Sequence, residues 1–416
     1  MRRVGMKDTE LYATLLGLQY PWRVREVKLN MVINRIEVWV EEALGAKWTC
    51  ADCRKPVSIY DHSEERTWRH LDTCQCETHI HARLPRTKCP EHGVKQVVAP
   101  WAEPGKRFTL LFEGLLIDVL KECDITGATR LTGLSWDEAF KIMEKAVKRG
   151  LARKEKRIPE YLSIDEKAFA KRHRYETLVC DLQAGTVEYV IEDRSQESLE
   201  KYYRQFTEKE RKEVKAVAMD MWDPYIAATR AYIPEAEDKI VFDRFHVTKQ
   251  VTEAVDKVRR KEHKDLQAEG DERLKGTRYL WLTNQENIPE WRQEEFSKVK
   301  DTNLRTSRAW AIKESLRKFW EYRYAKNARS YFQRWYFWAT HSKIEPIIRA
   351  AKTIKRHLAN IMTYFKYHIT NATAEGLNSK IQMVKMMACG FRNRDHYRTA
   401  IYFHCGGLDL YPRLSS

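Results

Sequence analysis

Two pairs of metal-binding side chains constrain this chain more than any other feature of it. Cys50-Ala-Asp-Cys53 and Cys89-Pro-Glu-His92 each place two ligands three positions apart, the spacing at which a tight turn can present both to one tetrahedral zinc ion. Between the pairs lie Cys74, Cys76 and an alternating run, Thr78-His-Ile-His-Ala-Arg-Leu-Pro85; a further alternating run over 25–41 precedes them. Alternation of this kind reads as strands. The expectation is a small β-rich knuckle within residues 1–100, held by Zn²⁺ on Cys50, Cys53, Cys89 and His92. Cys74-Gln-Cys76 lacks the knuckle spacing, and a partition in which Cys74 or Cys76 replaces one of the four stays open. Nine cysteines, an odd number spread over 416 residues, suit a reducing compartment better than a disulfide framework.

The charge points to a polyanion. Lys+Arg number 75 against 59 Asp+Glu, a formal charge of +16, which favours a nucleic-acid partner. The excess is uneven: residues 161–260 carry 18 basic and 20 acidic groups, and residues 261–416 carry 29 and 16. At 43% hydrophobic with 13 Trp, the chain has the composition of packed domains rather than of a disordered tail. The sequence has no apolar stretch of the length that spans a bilayer and no signal peptide, so a cytoplasmic, nucleoid-associated bacterial protein without a membrane partner is expected.

Helical apolar spacing from Phe108 is interrupted at Asp124-Ile-Thr-Gly127 and at Thr132-Gly-Leu-Ser135, where Ser135 and Glu138 form a capping box. Short helices ahead of a basic stretch containing Lys148, Arg149, Arg153, Lys154 and Arg157 read as a helix-turn-helix over 101–160. Three strands follow, Tyr161–Asp165, Tyr175–Cys180 and Thr186–Ile191, then helix, strand (214–220), helix, strand (239–243) and helix. That order predicts a mixed sheet with an antiparallel start, the first part of an α/β core at 161–260. Residues 261–340, helical and aromatic, read as an insertion; Trp310, Phe319, Trp320 and Tyr324 in it read as core. Residues 341–416 supply the rest of the core, with helices over 344–367 and 372–387, the second capped by Thr370 or Asn371, and a Gly-rich tail.

Three carboxylates stand out. Asp165 closes one strand, Asp220 closes another, and Glu375 lies in the first turn of a helix. Strand ends are where α/β folds bind ligands, and converging carboxylates call for a hard divalent cation, Mg²⁺ or Mn²⁺. Helix capping remains an alternative for each aspartate. Asp243 and His246 form a second cluster, open between capping, support of a metal site and, through Arg244, contact with DNA phosphate.

Ser163-Ile-Asp-Glu-Lys167, Met219-Asp-Met-Trp-Asp-Pro-Tyr225, Phe242-Asp-Arg-Phe-His246, Asn371-Ala-Thr-Ala-Glu-Gly-Leu-Asn-Ser-Lys380 and Gly390-Phe-Arg-Asn-Arg394 closely resemble the bacterial insertion-sequence transposases of the ISL-three family. The resemblance implies a DDE enzyme with an RNase H-like core interrupted by a helical insertion, preceded by a zinc-binding finger and a helix-turn-helix domain. It further implies that Asp165, Asp220 and Glu375 hold two Mg²⁺ or Mn²⁺ ions, with Asp243 and His246 in support. Cys50, Cys53, Cys89 and His92 match the family's zinc ligands. The expected partners are double-stranded DNA, both the terminal inverted repeats and the target, and a second copy of the chain in a dimer or larger synaptic complex. Arg83, Arg86, Lys148, Arg149, Arg153, Lys154, Arg157, Arg244, Arg305, Arg308, Lys313, Arg317, Lys318, Lys380, Arg392 and Arg394 are expected on DNA. A zinc-dependent DNA-binding regulator without catalysis, and an RNase H-like nuclease without strand transfer, are the competing readings.

Overall fold

The computed structural model describes residues 6–170, 174–369 and 372–413. After helix α1 (Asp8–Leu15) come strands β1 (Trp22–Asn30), β2 (Arg35–Glu42), β3 (Trp48–Thr49), β4 (Pro56–Thr73), β5 (Cys76–Cys89) and β6 (Gly93–Gln96). They form one sheet in the order β1-β2-β5-β4-β3, with β6 on the free stretch of β5. The alternation in sequence becomes alternation in burial: Ile36, Val38 and Val40 on β2 and Ile80, Ala82 and Leu84 on β5 all point into one core. Trp101 sits edge-on between Trp22 and Trp68 there, with ring centroids 5.1 and 5.5 Å away. The module is therefore larger than the expected small knuckle. The long β4–β5 hairpin supports its own apolar core, and the Cys/His cluster occupies only one end of it.

The three expected helices are α2 (Leu110–Glu122), α3 (Ile125–Thr132) and α4 (Trp136–Arg153). Each is capped by its own sequence: Thr109, Asp124 and Ser135 accept backbone N–H groups of the first turns, and Glu138 returns the bond to Ser135. Gly133, at φ +73°, ends α3 in the left-handed region. Leu116, Ile117, Ala128, Ile142, Met143 and Ala146 close the core of this unit, joined by Phe403 and Leu410 from the far end of the chain.

The second sheet contains β7 (Tyr161–Ala170), β8 (Arg174–Asp181), β9 (Thr186–Glu192), then, after α5 (Gln196–Tyr203) and α6 (Glu208–Lys212), β10 (Ala216–Met219). Helices α7 (Asp223–Tyr232) and α8 (Ala236–Lys239) lead to β11 (Ile240–Phe242), and α9 (Arg244–Ala268) follows. The order is β11-β10-β7-β8-β9. β7, β8 and β9 pair antiparallel, while β10 pairs parallel with both β7 and β11. This is the mixed RNase H-like sheet. Asp165 does not close its strand as expected: β7 keeps pairing with β8 as far as Ala170↔Arg174, because the hairpin continues the ladder after β10 has stopped.

The inserted region comprises α10 (Arg278–Leu282), α11 (Glu290–Lys300), α12 (Arg305–Arg317) and α13 (Ala325–Thr340), followed by α14 (Glu345–Arg356), α15 (Leu358–Met362) and α16 (Tyr364–Tyr367). Its Trp281, Phe296, Trp310, Phe319, Phe332 and Trp335 share one continuous core with Leu162, Val217 and Phe242 of the sheet. α9 runs unbroken through residue 260, so the expected boundary there falls inside a helix. Tyr324, expected in the core, is 64% exposed; it precedes α13 at its N-cap.

The other sheet face is covered by α17 (Ala372–Met387) and α18 (Arg394–Cys405), with Leu377, Ile381, Tyr397 and Ile401 against Leu178, Cys180 and Val187. Thr370 and Asn371, the expected caps of α17, lie outside the described residues. α18 corrects the expectation of a Gly-rich tail: Tyr397, Ile401 and Cys405 recur every four residues on its buried face, and Asn393 caps its start. No helix among the described residues is long and apolar enough to cross a membrane.

Candidate active site and zinc centre

Cys50 and Cys53 occupy the turn after β3, Cys89 ends β5, and His92 lies in the turn before β6. All four ligand atoms lie within 4.8 Å of one another. Cys53 Sγ is 3.7 Å from Cys89 Sγ, and His92 Nδ1 is 3.7 Å from Cys50 Sγ and 3.6 Å from Cys89 Sγ. Two sulfurs on one tetrahedral zinc stand about 3.8 Å apart, and a sulfur and an imidazole nitrogen about 3.5 Å. The set therefore fits a structural zinc ion. His92 also draws the Cys89 thiol down to about 6, toward the thiolate that metal binding needs. Cys74 sits exposed in the turn at the opposite end of the hairpin, and Cys76 is buried beside Asn34. The length of β5, on the order of 40 Å, separates them from Cys89 and decides the partition that spacing had left open.

The second site begins in strand register. Ala216 pairs in parallel with Tyr161, Val217 with Leu162 and Ala218 with Ser163, an offset of 55 residues in each pair. Asp220 lies 55 residues after Asp165. Carried past the end of β10 at Met219, the same register brings Asp220 beside Asp165 on β7, which runs on. A cleft of about 440 Å³ is lined by both, by Glu375 and Asn378 from α17, and by Asp243 and His246 from the start of α9. Burial raises the Asp220 carboxyl above its ordinary value; the nearby His246 opposes this, and Glu166 and Asp165 add to it. Its Oδ1 is buried with no hydrogen-bond partner. Asp165 is held from two sides, Oδ1 accepting from Glu166 N at 2.7 Å and Oδ2 from Asn378 Nδ2. Asp243 caps α9, accepting from Phe245 N at 2.7 Å, and its other oxygen lies 3.7 Å from His246 Nε2. Glu375 is exposed at the cleft wall, and the three carboxylates line it without forming as tight a set as the Cys/His cluster. A buried carboxylate oxygen with no donor, among hard oxygen groups, fits a divalent cation such as Mg²⁺ or Mn²⁺.

Comparison with known proteins decides the family. Residues 162–401 match the ISL3 transposase domain, residues 46–92 the zinc-finger of transposases IS204/IS1001/IS1096/IS1165, and residues 98–147 the helix-turn-helix domain of transposase family ISL3. The chain belongs to the ISL3 family of insertion-sequence transposases. Relatives include the transposase for insertion sequence element IS1557 of Mycobacterium tuberculosis, 27% identical over 93% of both chains, and that for IS1001 of Bordetella parapertussis, 26% identical over 84% of this chain and 86% of the other.

In this ISL3 chain the basic residues expected on DNA differ in how far they are free to meet it. Lys313 has a fully buried side chain, donating to the carbonyls of Trp281 at 3.1 Å and Thr283 at 2.9 Å. Arg149 is enclosed between Glu113, Glu103 and the Leu410 carbonyl. Neither can meet a phosphate, which corrects the expectation for both; local spacing does not distinguish an inward from an outward cation on a helix with charges on several faces. Arg153 is engaged by Asp409, Lys154 by Glu188, Arg157 by Asp181, Arg317 by Glu286 and Glu314, and Arg394 by Glu176 and Glu192. Exposed pairs or single bonds hold Arg86 to Asp61, Lys148 to Glu144, Arg83 to the Ser63 carbonyl and Arg308 to that of Ser342. Arg244, Arg305, Lys318, Lys380 and Arg392 are exposed and form no ion pair among the described residues. Asn378 went unassigned in sequence; its only local signal was its position one turn after Glu375.

Proposed function

We propose that this transposase binds the terminal inverted repeats of its element and catalyses cleavage of the transposon ends and their joining to target DNA at Asp165, Asp220 and Glu375. The observation that carries the reading is the shared 55-residue offset, which sets Asp165 and Asp220 level at the mouth of one cleft with Glu375 opposite. Asp165, Asp220 and Glu375 would hold two divalent cations, which when bound would supply activation of the attacking oxygen and stabilisation of the leaving oxygen. The carboxylates hold that charge, Asp243 and His246 flank it from the start of α9, and the exposed Arg244, Arg305, Lys318, Lys380 and Arg392 bind DNA phosphates around it. The finger and the α2–α4 unit read the ends, and synapsis of two ends brings two copies of the chain together.

Incubation with DNA carrying the element's ends, Mg²⁺ and a target plasmid tests the proposal. Nicks together with joined products are expected. Asp165→Asn, Asp220→Asn and Glu375→Gln each abolish both products while retaining end binding. Nicking without joining identifies a nuclease of the same fold; neither product, with binding intact, identifies a DNA-binding regulator.

A further inference from the structure

Asp165 and Glu375 stand 210 residues apart in sequence, and one side chain spans the elements that carry them. Asn378 follows Glu375 by three residues on α17 and so shares its face one turn on. Its amide donates to Asp165 Oδ2, while Oδ1 takes the Glu166 N–H. Both oxygens of Asp165 therefore have an N–H donor, whereas the buried Oδ1 of Asp220 in the same cleft has none.

Attachment of α17 to the sheet does not depend on this bond. Leu377 and Ile381 beside it pack on the strands, and Lys385 donates to the Ala168 carbonyl of β7 at 2.6 Å. What the amide adds is orientation. A carboxamide donates to a carboxylate without changing the charge of the cleft, so it can restrict the rotation of Asp165 and leave its negative charge for a cation.

We infer that Asn378 is a positioning residue, setting the Asp165 carboxylate relative to Glu375 so that both address the same divalent cation. The inference rests on the reading of this cleft as the metal-dependent centre. Asn378 acts through Asp165, whose Oδ2 its amide holds. Its loss therefore weakens metal binding, as loss of an outer partner of a metal ligand does, and spares the chemical step once metal is bound.

The test compares the full-length, zinc-loaded wild type with Asn378→Ala, Asn378→Gln and Asp165→Asn, using Mn²⁺ as the probe. Bound Mn²⁺ is read by electron paramagnetic resonance on DNA-free protein, and single-turnover cleavage of end DNA is followed across the same titration. Asn378→Ala is expected to raise half-saturating Mn²⁺ about tenfold in both measurements. Its cleavage rate recovers at saturating Mn²⁺, its melting temperature and end binding stay unchanged, and Asn378→Gln restores part of the affinity. Unchanged half-saturation, or a rate deficit that saturating Mn²⁺ does not repair, overturns the role of Asn378. Asp165→Asn separates the two levels: if it cleaves and binds Mn²⁺ as wild type does, the reading of the cleft itself fails. If it is inactive while Asn378→Ala behaves as wild type, only the positioning role fails.

Discussion

His70 is a buried and Asp220 a half-buried ionisable side chain, and burial lowers the pKa of the first and raises that of the second. His70, on β4, hydrogen-bonds Thr109 Oγ1 at 2.9 Å, and Thr109 caps α2. Burial, with the adjacent Arg69 charge, lowers its pKa to about 4, so between pH 6.5 and 4 the unfolded chain takes up a proton that the folded chain refuses. The stability present above pH 6.5 is lost as pH falls through that window, by up to about 3 kcal/mol. Urea unfolding midpoints should fall from pH 7 to pH 4.5, and His70→Phe should reduce the slope. Asp220 instead keeps a buried oxygen without a donor, which a cation can satisfy. The two candidate zinc pairs were legible because their chemistry is encoded three positions apart, and the fold then excluded Cys74 and Cys76 by placing them at the far end of the hairpin. Cys50→Ser is expected to lower zinc from one ion per chain to near none, by elemental analysis, and to unfold the finger. Asn378 was not legible in the same way, since its partner Asp165 lies on a strand 213 residues away.

Elements were readable where their signals are local. The Ser135–Glu138 capping box fixes the start of α4, and the alternation of β2 and β5 survives as a buried face. The end of β7 carries no local signal, because it depends on β8: the ladder to Arg174 continues after β10 stops. The glycines around α18 read as a tail, yet its four-residue recurrence of Tyr397, Ile401 and Cys405 buries one face on the sheet. Ile401→Ala should cost about 2–5 kcal/mol in denaturant unfolding if α18 is an integral layer; a change below about 0.5 kcal/mol would mean it is peripheral.

The whole molecule redistributes the charge that composition reports. Arg149 and Lys145 together neutralise Glu113 inside the helix-turn-helix unit, where Glu113 is 3% exposed. Arg149→Gln, which leaves Lys145 on Glu113, should destabilise the protein by about 1.5–3 kcal/mol and leave the salt dependence of DNA binding unchanged. The triple variant Arg305→Gln, Lys318→Gln, Arg392→Gln should do the reverse, lowering the slope of log affinity against log salt by about 2–3 while the melting temperature holds. The chain end also packs on the DNA-binding unit. A Cβ on Gly150 of α4 would lie 2.6 Å from Leu408 Cβ, so only glycine allows that approach, and the helix-turn-helix is tied to the catalytic layer through α18. Sequence by itself determined the two candidate zinc ligand pairs, the Ser135–Glu138 cap, the alternating strands and the candidate carboxylates, because each rests on spacing over a few residues or on a motif read whole. Tertiary structure alone decided which cations face solvent, that the insertion shares the core of the sheet, and that Asp165, Asp220 and Glu375 line one cleft with Asn378 between two of them. Those outcomes depend on strand register and on contacts between residues far apart in the chain, which no local pattern carries.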